Sequence, residues 1–439
     1  MMPYNTRRNY FVALMILLSG WVWSGAMLAQ SPATSASWAE KIHFKPVVGI
    51  QMWSIYTTGE ELYDATAAEY QPVENRFDVM LRRSRLGFKI QPLEVLQISV
   101  IGSMDVVGRD LLSATQGASN NGAAPSFGLW NAIAQWRVIP KKEVLYLATG
   151  YLTPQFSREH ITGALRVSSL EKSWSQNYIR RHLMGTGPGR AAGVQLGGLL
   201  RKQESPFALT YDAGLFNPLY EAYNGNSTGK QSSVLVTGKL TFHLGDPESD
   251  TYSLSHKVNT FGKRHGISLG LSHAVQGKTD LFDRNQASAV DVLFNWGPVN
   301  VDGEWAWLSR RGSGAGGSAG ERIAAFQTGF FRISYNLTMQ ENKVLEPVVM
   351  LMDFKGAMDL QGQADALALK SFAGKDQALD LGVNYYPVPE IRLSLHYTIQ
   401  NGEDGDASPG ATFNNYLFQR DVGAIHRGDY LGLGVVFSY

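Results

Sequence analysis

The chain has 439 residues, no cysteine, 46 glycines and a formal net charge of +1. Near-neutrality disfavours nucleic acid or an anionic membrane surface as partner, and without cysteine an exported chain has no disulfides to stabilise it. No linker rich in proline, serine or charge divides the sequence, so one large sheet fits better than several soluble domains.

Arg7 and Arg8 precede the apolar run Tyr10 to Leu18, followed by Gly20, Ser24, Gly25, Ala26 and Ala29. This order of basic, apolar and small residues reads as a secretory signal peptide over residues 1–29. Cleavage after Ala26 and after Ala29 both fit. The rival is a retained helix over Tyr10 to Ala29, against which stands the lack of a charged stop-transfer flank. Residues 30–45 form a polar periplasmic lead-in, and residues 46–439 carry strand patterning.

Sixteen strands are predicted: Pro46 to Thr57, Arg76 to Ile90, Glu94 to Asp105, Phe127 to Ile139, Glu143 to Tyr151, Arg190 to Leu200, Pro206 to Phe216 and Ser232 to His243. The second half of the chain adds Gly266 to Val275, Ser288 to Trp296, Val299 to Leu308, Ala324 to Leu337, Leu345 to Phe354, Ala378 to Tyr386, Glu390 to Gln400 and Asp429 to Tyr439. Their connections alternate in length. Odd-numbered links run to twelve residues or more, and even-numbered ones to seven or fewer except Leu244 to His265. That alternation is expected of an outer-membrane barrel, with long loops outside and short turns at the periplasmic rim. The exceptional link is either a long turn or hides two strands around Tyr252, so eighteen strands stay open.

Within strands the alternation fixes the register. In Ile391 to Ile399, the odd positions Ile391, Leu393, Leu395, Tyr397 and Ile399 face lipid and leave Arg392 and His396 in water; the opposite register would put Arg392 on the lipid face at roughly 2–4 kcal/mol near the midplane. The same reasoning turns Phe331, Ile333 and Tyr335 outward with Arg332 inward, and Val234, Val236, Leu240 and Phe242 outward with Lys239 inward. The final stretch places Leu431, Leu433, Val435, Phe437 and Tyr439 on one face and Gly432, Gly434, Val436 and Ser438 on the other. A strand carried to the last residue needs a partner on both sides, which a closed barrel supplies by pairing last strand with first. The fold class is therefore all-β, a transmembrane antiparallel barrel; a β-sandwich of a secreted protein is the alternative.

Several runs then carry a family likeness: Arg82-Arg-Ser-Arg85-Leu-Gly-Phe88-Lys, Trp130 to Trp136, Leu145 to Phe156 with Gly150 and Pro154, Pro188-Gly-Arg190-Ala-Ala-Gly193, Asn224-Gly225, Gly238 to Phe242, and Asn384-Tyr-Tyr-Pro387. In this order they resemble the phosphate-selective porins O and P. The resemblance implies an outer-membrane porin of a Gram-negative bacterium, a homotrimer with sixteen strands and a third loop folded inward to narrow the channel. It implies as partners outer-membrane lipid, the barrel-assembly machinery with Phe437 and Tyr439 as assembly signal, and small anions or other hydrophilic solutes. No cofactor or metal is implied. Ala191 stands where the family commonly has an acid, so the resemblance supports a pore more than it supports phosphate.

The third loop, Leu152 to Gly189, carries Arg158, Arg166, Lys172, Arg180 and Arg181 against Glu159 and Glu171, with Arg190 at its exit. Folded inward, these cations would focus a positive field on the constriction; alternatively they tie the loop to carboxylates of the wall or stay solvated. Inward wall positions include Arg83, Arg85, Lys89, Arg137, Lys239, Arg332 and Arg392, balanced by Asp105, Asp212, Asp291, Asp302, Glu304, Asp353 and Asp380. Glu60, Glu61, Asp64, Glu69 and Glu74 make the first loop an acidic mouth. The expected function is passive diffusion of small solutes with at most a mild anion preference. The alternatives are a non-conducting receptor or secretion scaffold and a barrel lipid hydrolase.

An enzyme is disfavoured. Gly316-Gly-Ser318-Ala-Gly320 has the letters of a nucleophile elbow but no strand before it or helix after it. Gly185-Thr-Gly187-Pro-Gly189 lacks the Lys-Ser/Thr of a phosphate loop. The nine histidines show no metal-ligand spacing.

Overall fold

The computed structural model describes residues 43–439 apart from 65, 111, 114–124, 186, 203, 219–229, 314–319, 404–417 and 420–422. The expected signal peptide, most of the lead-in, Asn224-Gly225 and Ser318 lie outside the described residues.

The barrel strands are β1 (His43–Thr58), β2 (Arg76–Leu93), β3 (Leu96–Ser103), β4 (Gly128–Arg137), β5 (Tyr146–Leu152), β6 (Ala191–Arg201), β7 (Phe207–Asn217) and β8 (Leu235–Gly245). They continue with β9 (Gly266–Gln276), β10 (Arg284–Trp296), β11 (Val299–Gly312), β12 (Arg322–Tyr335), β13 (Val344–Lys355), β14 (Lys375–Val388), β15 (Ile391–Glu403) and β16 (Asp429–Ser438). The ladder has seventeen segments, one of which, Leu337–Thr338, prolongs β12 along β13, so the barrel has sixteen staves, not eighteen. All the predicted strands are present, with ends shifted by a few residues.

The ring closes where β1 meets β16, in a register running from Gly49 opposite Ser438 to Thr58 opposite Asp429. Tyr439 extends this ladder: its amide donates to Val48 O at 2.8 Å and its carbonyl accepts from Val48 N at 3.2 Å. Closure leaves no unpaired edge, the condition for strands to stand in hydrocarbon. Leu431, Leu433, Val435 and Phe437 are 41–53 % exposed on the outside, whereas Val436 is 3 % exposed. Leu393, Leu395, Tyr397 and Ile399 likewise face out, and Arg392 and His396 are buried inside, as the energetic argument required.

The apolar cores lie inside the ring. The largest joins Phe156, Trp174, Tyr178, Ile179, Leu183 and Met184 of the third loop to Leu308, Phe326, Phe330, Met350, Met352 and Phe354 of the wall. A second joins Leu170 of that loop to Trp53, Ile55, Met80, Val106 and Tyr430. Gly432 and Gly434 make room here, because a side chain at either would press on the Leu170 methyls. Above the barrel, Glu61–Asp64, Glu69–Pro72, Phe418–Gln419 and Gly423–His426 form a small separate sheet.

Candidate functional site: a plugged lumen with a cationic gap

The third loop leaves the wall at Thr153 and rejoins it at Ala191, carrying α1 (Arg158–Ile161), a single helical turn at Ala164–Arg166 and α2 (Ser175–Met184). Helix α2 stops at Gly185, whose φ of 76° lets its amide bond back to Arg181 O. The apolar face of α2 packs as a core helix would. The Tyr178 ring stacks on Phe354 at 4.0 Å between centroids and meets Phe372 edge-on at 5.1 Å.

Charge ties the rest of the loop down. Arg332 bonds Asp302 at 2.5 Å and Glu159 at 3.2 Å. Arg158 bonds Glu248 at 2.7 Å and Asp291 at 3.0 Å, and Lys239 shares that same Asp291. Glu171 accepts from Arg82 at 2.5 Å and from Arg83. Burial pushes Glu171 up, but the two arginines outweigh it and hold the carboxyl at about 2. Arg392 donates to Val167 O, although its Nε and Nη2 are buried without a hydrogen-bond partner among the described residues. Lys172 Nζ donates to Thr162 O at 2.8 Å, and burial followed by nearby Arg180 pulls it well below the lysine range. Arg158 and Lys172 thus serve the loop's seating, as do Arg83, Lys239, Arg332 and Arg392. Arg137 sits at the short-turn rim, 3.4 Å from Glu143.

What the loop leaves open is a cavity of about 460 Å³ beside strands β1 to β5. Lys45, Arg85, Lys89, Arg166, Arg180 and Arg190 line it, and among the described residues no aspartate or glutamate does. Arg85 lies 3.7 Å and Arg190 3.6 Å from the Trp130 ring centre. Arg85 also holds Asp105 at 2.5 Å, whereas among the described residues Arg190 has neutral hydrogen-bond partners alone, Asn131 Oδ1 at 3.3 Å and Pro188 O. Arg180 crosses the space that a side chain on Gly189 would fill, and Gly189 has a φ of 66°. Its Nε is buried without a hydrogen-bond partner among the described residues. Burial, then Arg83, lowers Arg180 to about 10, and burial with Arg180 and Arg85 lowers Arg190 further below its ordinary range. A guanidinium keeps its charge in proteins at neutral pH. Arg181, on the same helix, does not line this cavity.

The sequence singled out Arg85, Lys89, Arg166, Arg180 and Arg190, and the structure brings these five together. It missed Lys45, placed in the lead-in, and Trp130, noted only within the family likeness. One further feature differs from expectation. Glu60 of the supposed acidic mouth is buried, accepting from Arg427 at 3.2 Å and from the Gly428 amide at 3.0 Å, which removes one charge from the entrance. Of the two expected forms of the exceptional link after β8, the long turn is the one present, and it enters the lumen. Phe437 and Tyr439 face outward at the closing seam.

Solved structures share the barrel fold. The outer membrane channel DcaP of Acinetobacter baumannii superposes with a TM-score of 0.53 at 14% identity, over 93% of this chain and 100% of that one. The fold is that of the porins. An anion-selective porin from Comamonas acidovorans gives 0.52 at 12% identity over 91% and 100% of the two chains. OmpF of Salmonella typhi, in complex with daunomycin, gives 0.55 at 13% identity over 90% and 97%. No protein-family model and no curated protein sequence matches the chain. Identities this low carry the porin fold and not the narrower likeness to phosphate-selective porins.

Proposed function

We propose that this chain is an outer-membrane channel of a Gram-negative bacterium, through which small hydrophilic solutes diffuse with a preference for anions, phosphate among them. One observation carries the preference: the gap beside the third loop is lined by six cationic side chains and no aspartate or glutamate among the described residues. Low-dielectric walls strengthen such a field, favouring anions and excluding cations. Trp130 supports the reading, since stacking on its indole stabilises Arg190 by about 0.5–2 kcal/mol without a carboxylate that would cancel the charge. Assembly as a homotrimer, through the barrel-assembly machinery and with Tyr439 in the signal, belongs to the same proposal.

Purified protein in a planar bilayer tests it. A salt gradient should give a reversal potential of anion-selective sign, and phosphate should carry measurable current beside chloride. Cation preference would refute the selectivity. Folded barrel with no channel steps would favour the receptor or scaffold reading, and turnover of lipid a hydrolase.

A further inference from the structure

Residues 246–265 join β8 and β9 on the rim where other links are short. Their base is shut: Gly245 pairs with Gly266, and Asp246 N donates to His265 O at 2.9 Å. Buried Arg264 clamps it further, donating to Asp246 O, Pro247 O, Asn295 Oδ1 and Ser268 Oγ at 2.7–3.2 Å. The rest of the turn is therefore aimed into the barrel from a fixed root. Its far end is anchored too, with Tyr252 Oη donating to Asp212 Oδ1 at 2.5 Å and Tyr252 N to Glu143 Oε2 at 2.9 Å.

Between these anchors the turn grips the third loop. Glu248 takes both terminal nitrogens of Arg158, at 3.1 and 2.7 Å, and His256 Nδ1 lies 2.9 Å from the same carboxylate. The backbones bridge as well: Thr162 pairs with His256 in parallel fashion, and Gly163 N donates to His256 O at 3.1 Å. Gln155 Nε2 donates to Leu254 O at 3.2 Å. The segment so held ends in Arg166, which borders both the cationic gap and a second cavity of about 510 Å³ on the other side of the turn.

We propose that the inward turn 246–265 is a strut that fixes the third loop from the periplasmic side and so sets the aperture, with Glu248 as the positioning residue. Loss of Glu248 leaves Arg158 sharing Asp291 with Lys239, two cations on one carboxylate, and frees the loop segment to fluctuate. This rests on the channel reading, from which its test is separable.

Single-channel recording of Glu248→Gln should show a severalfold rise in open-channel current variance with a larger mean conductance. Arg158→Gln and the double variant should give the same change and not twice it. The chain has no cysteine, so Thr162→Cys/His256→Cys, added to Glu248→Gln, places one thiol pair at the bridge, within disulfide reach. Oxidation with copper phenanthroline should return the current to wild-type quietness, and dithiothreitol should undo this. Should Glu248→Gln not assemble, Tyr252→Phe loosens the other anchor and should raise the variance in the same direction. A quiet Glu248→Gln channel of unchanged conductance overturns the strut while leaving the channel intact. Absence of channel steps in the wild type overturns both.

Discussion

Arg190→Gln is the sharpest test of the cationic gap, because among the described residues Arg190 bonds no acid, only Asn131 Oδ1 and Pro188 O, and removing it leaves no carboxylate stranded there. An ion passing 4–7 Å from the guanidinium gains about 0.6–1 kcal/mol if an anion and loses as much if a cation, at a water-like dielectric constant. The two effects add in a permeability ratio, so the anion-to-cation ratio should fall by roughly one order of magnitude at low salt. Raising salt to about 1 M shrinks the screening length to about 3 Å and should erase most of the difference. Reversal potentials of wild type and variant, in gradients of fixed ratio at several ionic strengths, measure this. A ratio unchanged at low salt, in a channel of normal conductance, would refute the assignment of Arg190 to the ion path.

Arg332→Met strands the buried carboxylates of Asp302 and Glu159 and should cost about 3–5 kcal/mol, seen as a lower midpoint for loss of the folded, fast-migrating band on heating. Glu171 supplies a pH dependence. Its carboxyl is depressed from 4.5 to about 2, so its contribution is complete above about pH 4.5 and is lost as pH falls towards 2. Conductance should rise and become noisy over that interval, and a flat profile would contradict the role given to the Arg82 and Arg83 pairs. Deleting Tyr439 removes both backbone bonds to Val48 and should lower outer-membrane levels with synthesis and export intact, measurable by fractionation and immunoblotting.

The wall was legible because one rule, apolar out and polar in, repeats along every strand, and because Arg392 or Lys239 makes the wrong register costly. The contents of the wall were not. Arg332 and Glu159 meet across 173 positions, and Arg83 and Glu171 across 88, and no local pattern announces such pairs. The sequence therefore left open whether the loop cations face the channel or tie the loop down. They do both: Arg158 meets Asp291 of the wall and Glu248 of the inward turn, and Lys172 the carbonyl of Thr162, whereas among the described residues Arg180 and Arg190 have no carboxylate in bonding contact. The turn 246–265 stays between two readings in the sequence because what decides it, the bonds of Tyr252 to Asp212 and of Gln155 to Leu254, joins segments far apart in the chain. The pairing of Trp130 with Arg85 and Arg190 was hidden likewise, since a tryptophan in a barrel strand first suggests an interfacial girdle.

The socket that Gly432 and Gly434 make for Leu170 has a temporal consequence. The third loop rests on β2 through Arg83, on β12 through Arg332, on β15 through Arg392 and on β16 through those glycines, and these surfaces become neighbours only once both ends of the chain have met. Only the shut ring offers every one of these seats at once, so the stopper's full set of holds exists only when the cask is closed.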